Sequence, residues 1–306
     1  MASRWWTYQR ERFPVFAHGP LIAAFSLSAV SYSALVRGAM HPPHWQSCLV
    51  AFVSSFLFFL QLRIADEFKD FEEDSKFRPY RPVPRGLVTL RQLGWVWMSC
   101  IAIQFAIAFW LSARLIVLLI VTWIYLLLMS KEFFARCWLK ARPITYMVSH
   151  MAIMPLVDLY TTACDWVPAG FQRPPRGMLF FLIVSFFNGM VIEIGRKIRS
   201  PQDEEPGVET YSFLWGRRNA VAVWLLMLVA TGQYAYLAAR SISFATPVLI
   251  LLTIVFVAAV GVCLWFLRSN VPKRGKYIEA LSGVWSLMLY LSLGVIPMVL
   301  RYSHGI

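Results

Sequence analysis

Nine apolar runs divide this chain, at 18–37, 45–64, 93–112, 115–131, 144–162, 178–196, 219–239, 246–267 and 278–299. Apolar runs of about 17–25 residues are long enough to cross a bilayer as helices. Lipid offers no partner to a bare N–H or C=O, so such runs must satisfy their backbone within each segment. The sequence therefore predicts an all-α, polytopic membrane protein with nine transmembrane helices in a bundle. Helix breakers stand near the boundaries of the runs: Gly19-Pro20, Pro42-Pro43, Pro82, Pro84, Pro174-Pro175, Pro201 and Pro272. The first 17 residues are polar and aromatic, and they read as a tail without a signal peptide. The five cysteines are scattered and lack CxxC spacing, so they read as reduced helix residues rather than metal ligands or a disulfide frame.

The formal charge of +13 is arranged by topology. With the N-terminus placed in the cytoplasm, the tail and the loops at 61–92, 131–143, 195–218 and 268–277 carry 23 of the 29 Lys and Arg. The other side carries only Arg37, Arg114, Arg173, Arg176, Arg240 and Arg301. This bias predicts a cytoplasmic N-terminus and leaves no call for a nucleic-acid partner. Membrane lipids and an anionic substrate are the partners it fits. No loop is long enough to fold alone, so residues 1–306 read as one membrane domain. Runs two and six both end in acidic loops with basic residues and a Gly, which suggests two quasi-repeated four-helix halves plus a ninth helix.

The carboxylates are the second constraint. Asp66, Glu67, Asp70, Glu72, Glu73 and Asp74 follow the second run, and Glu193, Asp203, Glu204, Glu205 and Glu209 follow the sixth. These two loops hold 11 of the 16 Asp and Glu, and the assumed orientation puts both in the cytoplasm. On a continuing helix Asp66, Asp70 and Asp74 would stack on one face at i, i+4 and i+8, a repulsive arrangement without a cation among them. Arg63, Lys69, Lys76, Arg78, Arg81 and Arg85 are interleaved with these acids. Hard carboxylate oxygens suit Mg²⁺, or Mn²⁺ in its place, and Mg²⁺ typically shares its shell with substrate phosphates. Metal and bases together suit departure of a diphosphate. The expected substrate is thus an isoprenyl diphosphate, whose tail would lie in the bundle. A divalent-cation transporter is the reading from another class, but it calls for acids at mid-membrane, and the runs carry few.

The residues resemble those of a family. Residues 66–74 read D-E-F-K-D-F-E-E-D and residues 81–86 read R-P-V-P-R-G. This is similar to the N-D-x-x-D-x-x-x-D and R-P-x-x-x-G motifs of the UbiA superfamily of intramembrane prenyltransferases, which includes a terpene-cyclase branch. Asp66 takes the Asn place, Glu67 the first Asp place, and Asp70 and Asp74 match outright. In the second motif Asp203, Gly207, Thr210 and Gly216 match, while Arg199 stands where the farther acid belongs and Glu193 is its candidate substitute. The resemblance implies a bundle around a central apolar cavity and a prenyl diphosphate ionised between the two loops. It also implies Mg²⁺ ligands among Asp66, Glu67, Asp70, Asp74, Glu193 and Asp203. Arg63, Lys69, Lys76, Arg78, Arg81, Arg196 and Lys197 are the expected diphosphate binders. Glu193 and Lys197 also have the i,i+4 spacing of a plain helix ion pair.

The expected reaction is transfer of the prenyl cation to an apolar acceptor, an aromatic or a lipid. The alternative is cyclisation of the substrate without any acceptor. Tyr146, His150, Asp158 and Asn188 are the candidate groups facing the cavity, with His150 and Asp158 eight residues apart on roughly one helix face. Inward-facing aromatic rings would stabilise an allylic cation, and a dry chamber would shield it from water.

Overall fold

The computed structural model describes residues 3–304, and among these the secondary structure is helical without strands. The helices are α1 Arg4–Arg12, α2 Val15–Val36, α3 Trp45–Lys69, α4 Phe71–Phe77, α5 Leu90–Leu111, α6 Leu115–Ser130, α7 Arg136–Lys140 and α8 Pro143–Met151. They continue with α9 Ile153–Trp166, α10 Met178–Arg196, α11 Tyr211–Trp215, α12 Arg217–Arg240, α13 Ala245–Leu267, α14 Gly275–Leu293 and α15 Val295–His304. Short 3₁₀ turns lie at Glu132–Phe134 and Pro201–Asp203.

Seven helical segments are long and apolar enough to span a membrane, fewer than the nine runs of the sequence. The run at 115–131 forms the 16-residue α6, short of the others. The run at 144–162 is broken into α8 and α9 at Ala152. Pro155 explains the break, since it donates no N–H and its ring crowds the carbonyl four residues back, that of Met151. The helix predicted from residue 18 starts at Val15, so Pro20 lies inside α2 rather than before it.

The chain forms two compact units, and α2 contributes to both. The first holds residues up to Val30 and Pro43–Gln172. Its long helices carry small polar side chains on their packed faces. Ser54 shares a hydrogen bond with Tyr160 at 3.2 Å, and Ser55 with Thr161 at 3.0 Å, joining α3 to α9. The buried Gln104 of α5 donates to the Ser54 carbonyl at 3.1 Å and accepts from Trp123 of α6 at 3.0 Å. Lipid tails are as apolar as leucine, so close packing and bonds of this kind, worth roughly 0.6 kcal/mol each, hold helices together in a bilayer.

The second unit holds Ser31–Pro42 and Arg173–Ile306. Trp224 of α12 is fully buried, and its indole N–H reaches the Val191 carbonyl at 3.0 Å and Ser282 Oγ at 3.1 Å. Ser286 donates to Asn188 Oδ1 at 3.0 Å across α14 and α10. Gly195 permits this approach, because a Cβ there would lie 2.0 Å from Ser282 Oγ. Gly275 does the same at the start of α14, where a Cβ would lie 2.3 Å from the Ile198 carbonyl oxygen.

Candidate functional site

The first acidic cluster sits where α3 gives way to α4. Asp70 is the joint, the last cap of one helix and the first of the next, at φ −97° and ψ 5°. The acids are therefore not on one continuing helix face, and each meets a different surrounding. Asp66 is flanked by Arg63 at 3.4 Å and Lys69 at 3.5 Å. Glu67 is buried and ion-paired with Arg12 of α1. Asp74 is 1% exposed, and its two oxygens meet Arg78 and Arg81, both at 2.6 Å. Glu73 pairs with Lys140 and, at 3.4 Å, with Arg136.

Asp70 differs from its neighbours. Among the described residues it stands in no ion pair. Burial pushes its carboxyl above the ordinary value, Lys69 offsets part of that, and Asp66, Asp74 and Glu73 add to it. Burial acts in the same direction on Glu73, but Lys140, Arg136 and Arg78 prevail and hold that carboxyl low. The cluster is thus saturated with bases at Glu67, Glu73 and Asp74 and short of positive charge at Asp70.

Lys69 carries a chain of contacts away from the acids. It donates to the Tyr146 hydroxyl at 3.0 Å, which donates to Glu132 at 3.3 Å, and Glu132 pairs with Arg136 at 3.1 Å. Tyr146 stacks on His150 with centroids 3.9 Å apart. Glu132, Phe133 and Phe134 all have positive φ, at 49°, 51° and 57°. Left-handed backbone on bulky residues is strained, and such strain gathers at functional sites. The segment between Arg81 and α5 is fixed locally. Gly86, at φ 76°, allows Leu87 N–H to reach the Pro82 carbonyl at 2.9 Å, and Thr89 with Gln92 forms a capping box.

Several expected residues lie elsewhere. Lys76 is exposed over the Phe77 ring, and Arg85 pairs with Glu11 of α1 at 3.0 Å. The helix break separates His150 from Asp158, so they do not share a continuous helix face, although both are buried. Asn188 is buried in the second unit, where its Oδ1 accepts from Ser286.

In the second acidic loop Glu193 lies between Arg196 Nε at 2.7 Å and Lys197 Nζ at 2.9 Å, the helix ion pair its spacing allowed. Asp203 accepts the Lys273 backbone N–H at 2.6 Å. Glu204 accepts from Thr210 at 2.7 and 2.8 Å and from Ser212 at 2.7 Å, and Glu205 pairs with Arg199 at 3.2 Å. Among the described residues no three acid, His or Cys side chains converge as a metal-holding group. Sequence reasoning missed Arg12, Glu132, Arg136 and Ser212. Arg12 is far along the chain from Glu67, and Arg136 from Glu73, and spacing carries no signal for such contacts, whereas Glu132 and Arg136 have the i,i+4 spacing that could have shown their pair.

Fold and site together define an all-helical membrane protein that gathers its acids and bases at helix ends. The chain belongs to the UbiA prenyltransferase family, whose profile matches residues 26–279. It is similar to the apo structure of a UbiA homolog from Aeropyrum pernix K1, with a TM-score of 0.68 at 14% identity over 90% of this chain and 96% of that one. A digeranylgeranylglyceryl phosphate synthase structure aligns with a TM-score of 0.61 at 13% identity, covering 97% and 100% of the two chains. A UbiA homolog from Archaeoglobus fulgidus, bound to DMAPP and Mg²⁺, aligns with a TM-score of 0.56 at 11% identity, covering 94% and 98%. No curated protein sequence matches the chain.

Proposed function

We propose that this protein transfers a prenyl group from an isoprenyl diphosphate to an apolar acceptor, with Mg²⁺ as cofactor. The observation that carries the reading is the first cluster, where Asp70 stands in no ion pair among the described residues while Arg63, Lys69, Arg78 and Arg81 stand on its neighbouring acids. The donor set fits Mg²⁺. Its carboxylate oxygens are hard, and Mg²⁺ needs only one or two of them beside substrate phosphates and water. Asp70 and Asp66 are the residues that would hold it. Glu67 and Asp74 are engaged by arginines, so their part is to aim those arginines. In the second loop Asp203 remains the candidate ligand, and Glu193, paired with Arg196 and Lys197, holds those bases as Asp74 holds its arginines. When bound, Mg²⁺ neutralises charge on the diphosphate.

The chain's own groups do the rest. Arg63, Lys69, Arg78 and Arg81 present donors to the diphosphate, whose charge grows as the C1–O bond breaks. The leaving group takes the bonding electrons and the prenyl carbon becomes an allylic cation. An acceptor carbon or oxygen attacks it and then loses a proton. The bound DMAPP and Mg²⁺ of the Archaeoglobus fulgidus homolog support this substrate class. The 23-to-6 division of Lys and Arg supports a cytoplasmic N-terminus and acidic loops. The matching acidic loops after the second and sixth runs support descent from two related halves.

The test is incubation of purified protein with Mg²⁺ and prenyl diphosphates of increasing length, with and without aromatic and lipid acceptors. Diphosphate release that needs an acceptor, with a prenylated product, is the expected result. A cyclic hydrocarbon formed without acceptor would replace transfer with cyclisation.

A further inference from the structure

A groove of about 500 Å³ lies in the first unit, and none of its lining residues belongs to the acidic cluster. Its long wall is one stripe of α5, formed by Gln92, Trp95, Val96, Ser99, Cys100 and Ile103. These positions advance by three or four residues and so share a helix face. Leu57 and Leu60 of α3 also line it, as do Arg4 and Trp5 of α1, and Trp5 packs edge-on to Tyr8, which clusters with Leu93 beside Gln92 at the start of α5. From residue 92 to residue 103 the groove is roughly 16 Å long at the helical rise. That is about half of a hydrocarbon core of roughly 30 Å, the depth of one leaflet.

Polarity is confined to one end. Ser99 lies in the wall, but its hydroxyl is turned back to the Trp95 carbonyl at 3.0 Å. At the mouth Gln92 uses its Oε1 on the Thr89 N–H, which leaves its amide N–H donors. Arg4 offers only donors and a positive charge. Trp5 and Trp95 are both exposed beside it, the residue type that gathers at membrane interfaces. A donor-only, cationic mouth above an apolar furrow one leaflet deep fits an anionic phosphate with an acyl chain beneath it.

The mouth is also held in place. Tyr8 of α1 is buried among Ile64, Val83, Val88 and Leu93, and Arg12 is ion-paired with buried Glu67. Arg4, two turns before Arg12, therefore projects from an anchored helix.

We propose that this groove is a binding site for one bilayer phospholipid with an anionic headgroup. The phosphate meets Arg4 and the Gln92 amide, and one acyl chain lies between α3 and α5. The site is separate from the acids of the prenyl-transfer reading and does not rest on it. Because α1 also carries Arg12, the bound lipid fastens the helix that neutralises Glu67.

The experiment is native mass spectrometry of delipidated protein in detergent, titrated with phosphatidylglycerol or phosphatidylcholine. One phosphatidylglycerol should be retained per chain, about tenfold more tightly than phosphatidylcholine, whose phosphate is the same but whose quaternary ammonium would be repelled by Arg4. Arg4→Glu should erase that preference, and Ser99→Trp, which fills the furrow from an exposed position, should weaken both lipids. Arg91→Ala, an exposed arginine outside the groove, should change neither. Unfolding midpoints identify any variant that fails to fold, and Arg4→Gln then replaces Arg4→Glu. Equal retention by wild type and the Arg4 variant overturns the proposal. So does an equal loss in Arg91→Ala, which would mean diffuse attraction. Displacement of phosphatidylglycerol by a prenyl diphosphate, undiminished in Asp70→Ala, also overturns it by assigning the groove to substrate.

Discussion

Asp74→Asn separates a metal ligand from a holder of arginines. Asp74 is almost wholly buried, and its two oxygens are occupied by Arg78 and Arg81 at 2.6 Å each. Asparagine keeps the shape and removes the charge the two guanidinium groups share. Removing one partner of a buried ion pair costs about 3–5 kcal/mol. The arginine side chains are 13% and 20% exposed, so water relieves part of the loss and the lower end, about 3 kcal/mol, is expected. Asp70→Asn should behave in the opposite way. It deletes a carboxylate that has no ion pair and whose ionisation burial opposes, so the metal-free protein should be as stable as wild type or more so. The assay pairs unfolding in detergent with diphosphate release titrated with Mg²⁺ and with prenyl diphosphate. Asp74→Asn should lower stability and raise KM for the diphosphate, with the Mg²⁺ midpoint unchanged. Asp70→Asn should shift the Mg²⁺ midpoint by at least about tenfold, the loss that even outer partners of a metal ligand cause. If Asp74→Asn keeps full stability and shifts the Mg²⁺ midpoint as far as Asp70→Asn, the division of roles is refuted.

Arg12→Ala should cost about 3 kcal/mol, because it strands the buried Glu67 carboxylate, and Arg12→Ala/Glu67→Gln should recover most of it in the same unfolding assay. Asp70 also predicts a pH signature. Its carboxyl in the folded protein sits above the ordinary 3.8, so the folded state takes up the proton first. The Asp70 contribution to metal-free stability should therefore rise as pH falls through the raised value and level off below 3.8, and unfolding midpoints of Asp70→Asn should lack that component. Tyr146→Phe should free Lys69 from the Glu132 chain and lower kcat with little change in the unfolding midpoint, whereas an equal loss of both would make the contact structural.

The apolar runs made the helices legible, since a run that must bury its backbone in lipid has one solution. The break in the fifth run was also readable from Pro155, but run length alone passed over it. The first acidic motif was legible as a charged site, yet its spacing implied one helix face. The turn at Asp70 redistributes those acids, and their partners decide what each one does. Arg12 reaches Glu67 from a helix 55 residues away, a pairing that only the packing of Tyr8 onto α3 and α5 brings about. Glu204 likewise finds Thr210 and Ser212 through a loop closure that no spacing rule encodes. The left-handed turn at Glu132–Phe134 has no glycine to announce it.

The most direct test of the account is diphosphate release by purified wild-type and Asp70→Ala protein given a prenyl diphosphate and an acceptor, with Mg²⁺ or with chelator. Release that requires Mg²⁺ and is lost in Asp70→Ala, while the variant stays folded, is the predicted result. Release that persists in chelator, or in folded Asp70→Ala at the wild-type rate, would contradict the claim that Asp70 is where the cluster recruits its metal.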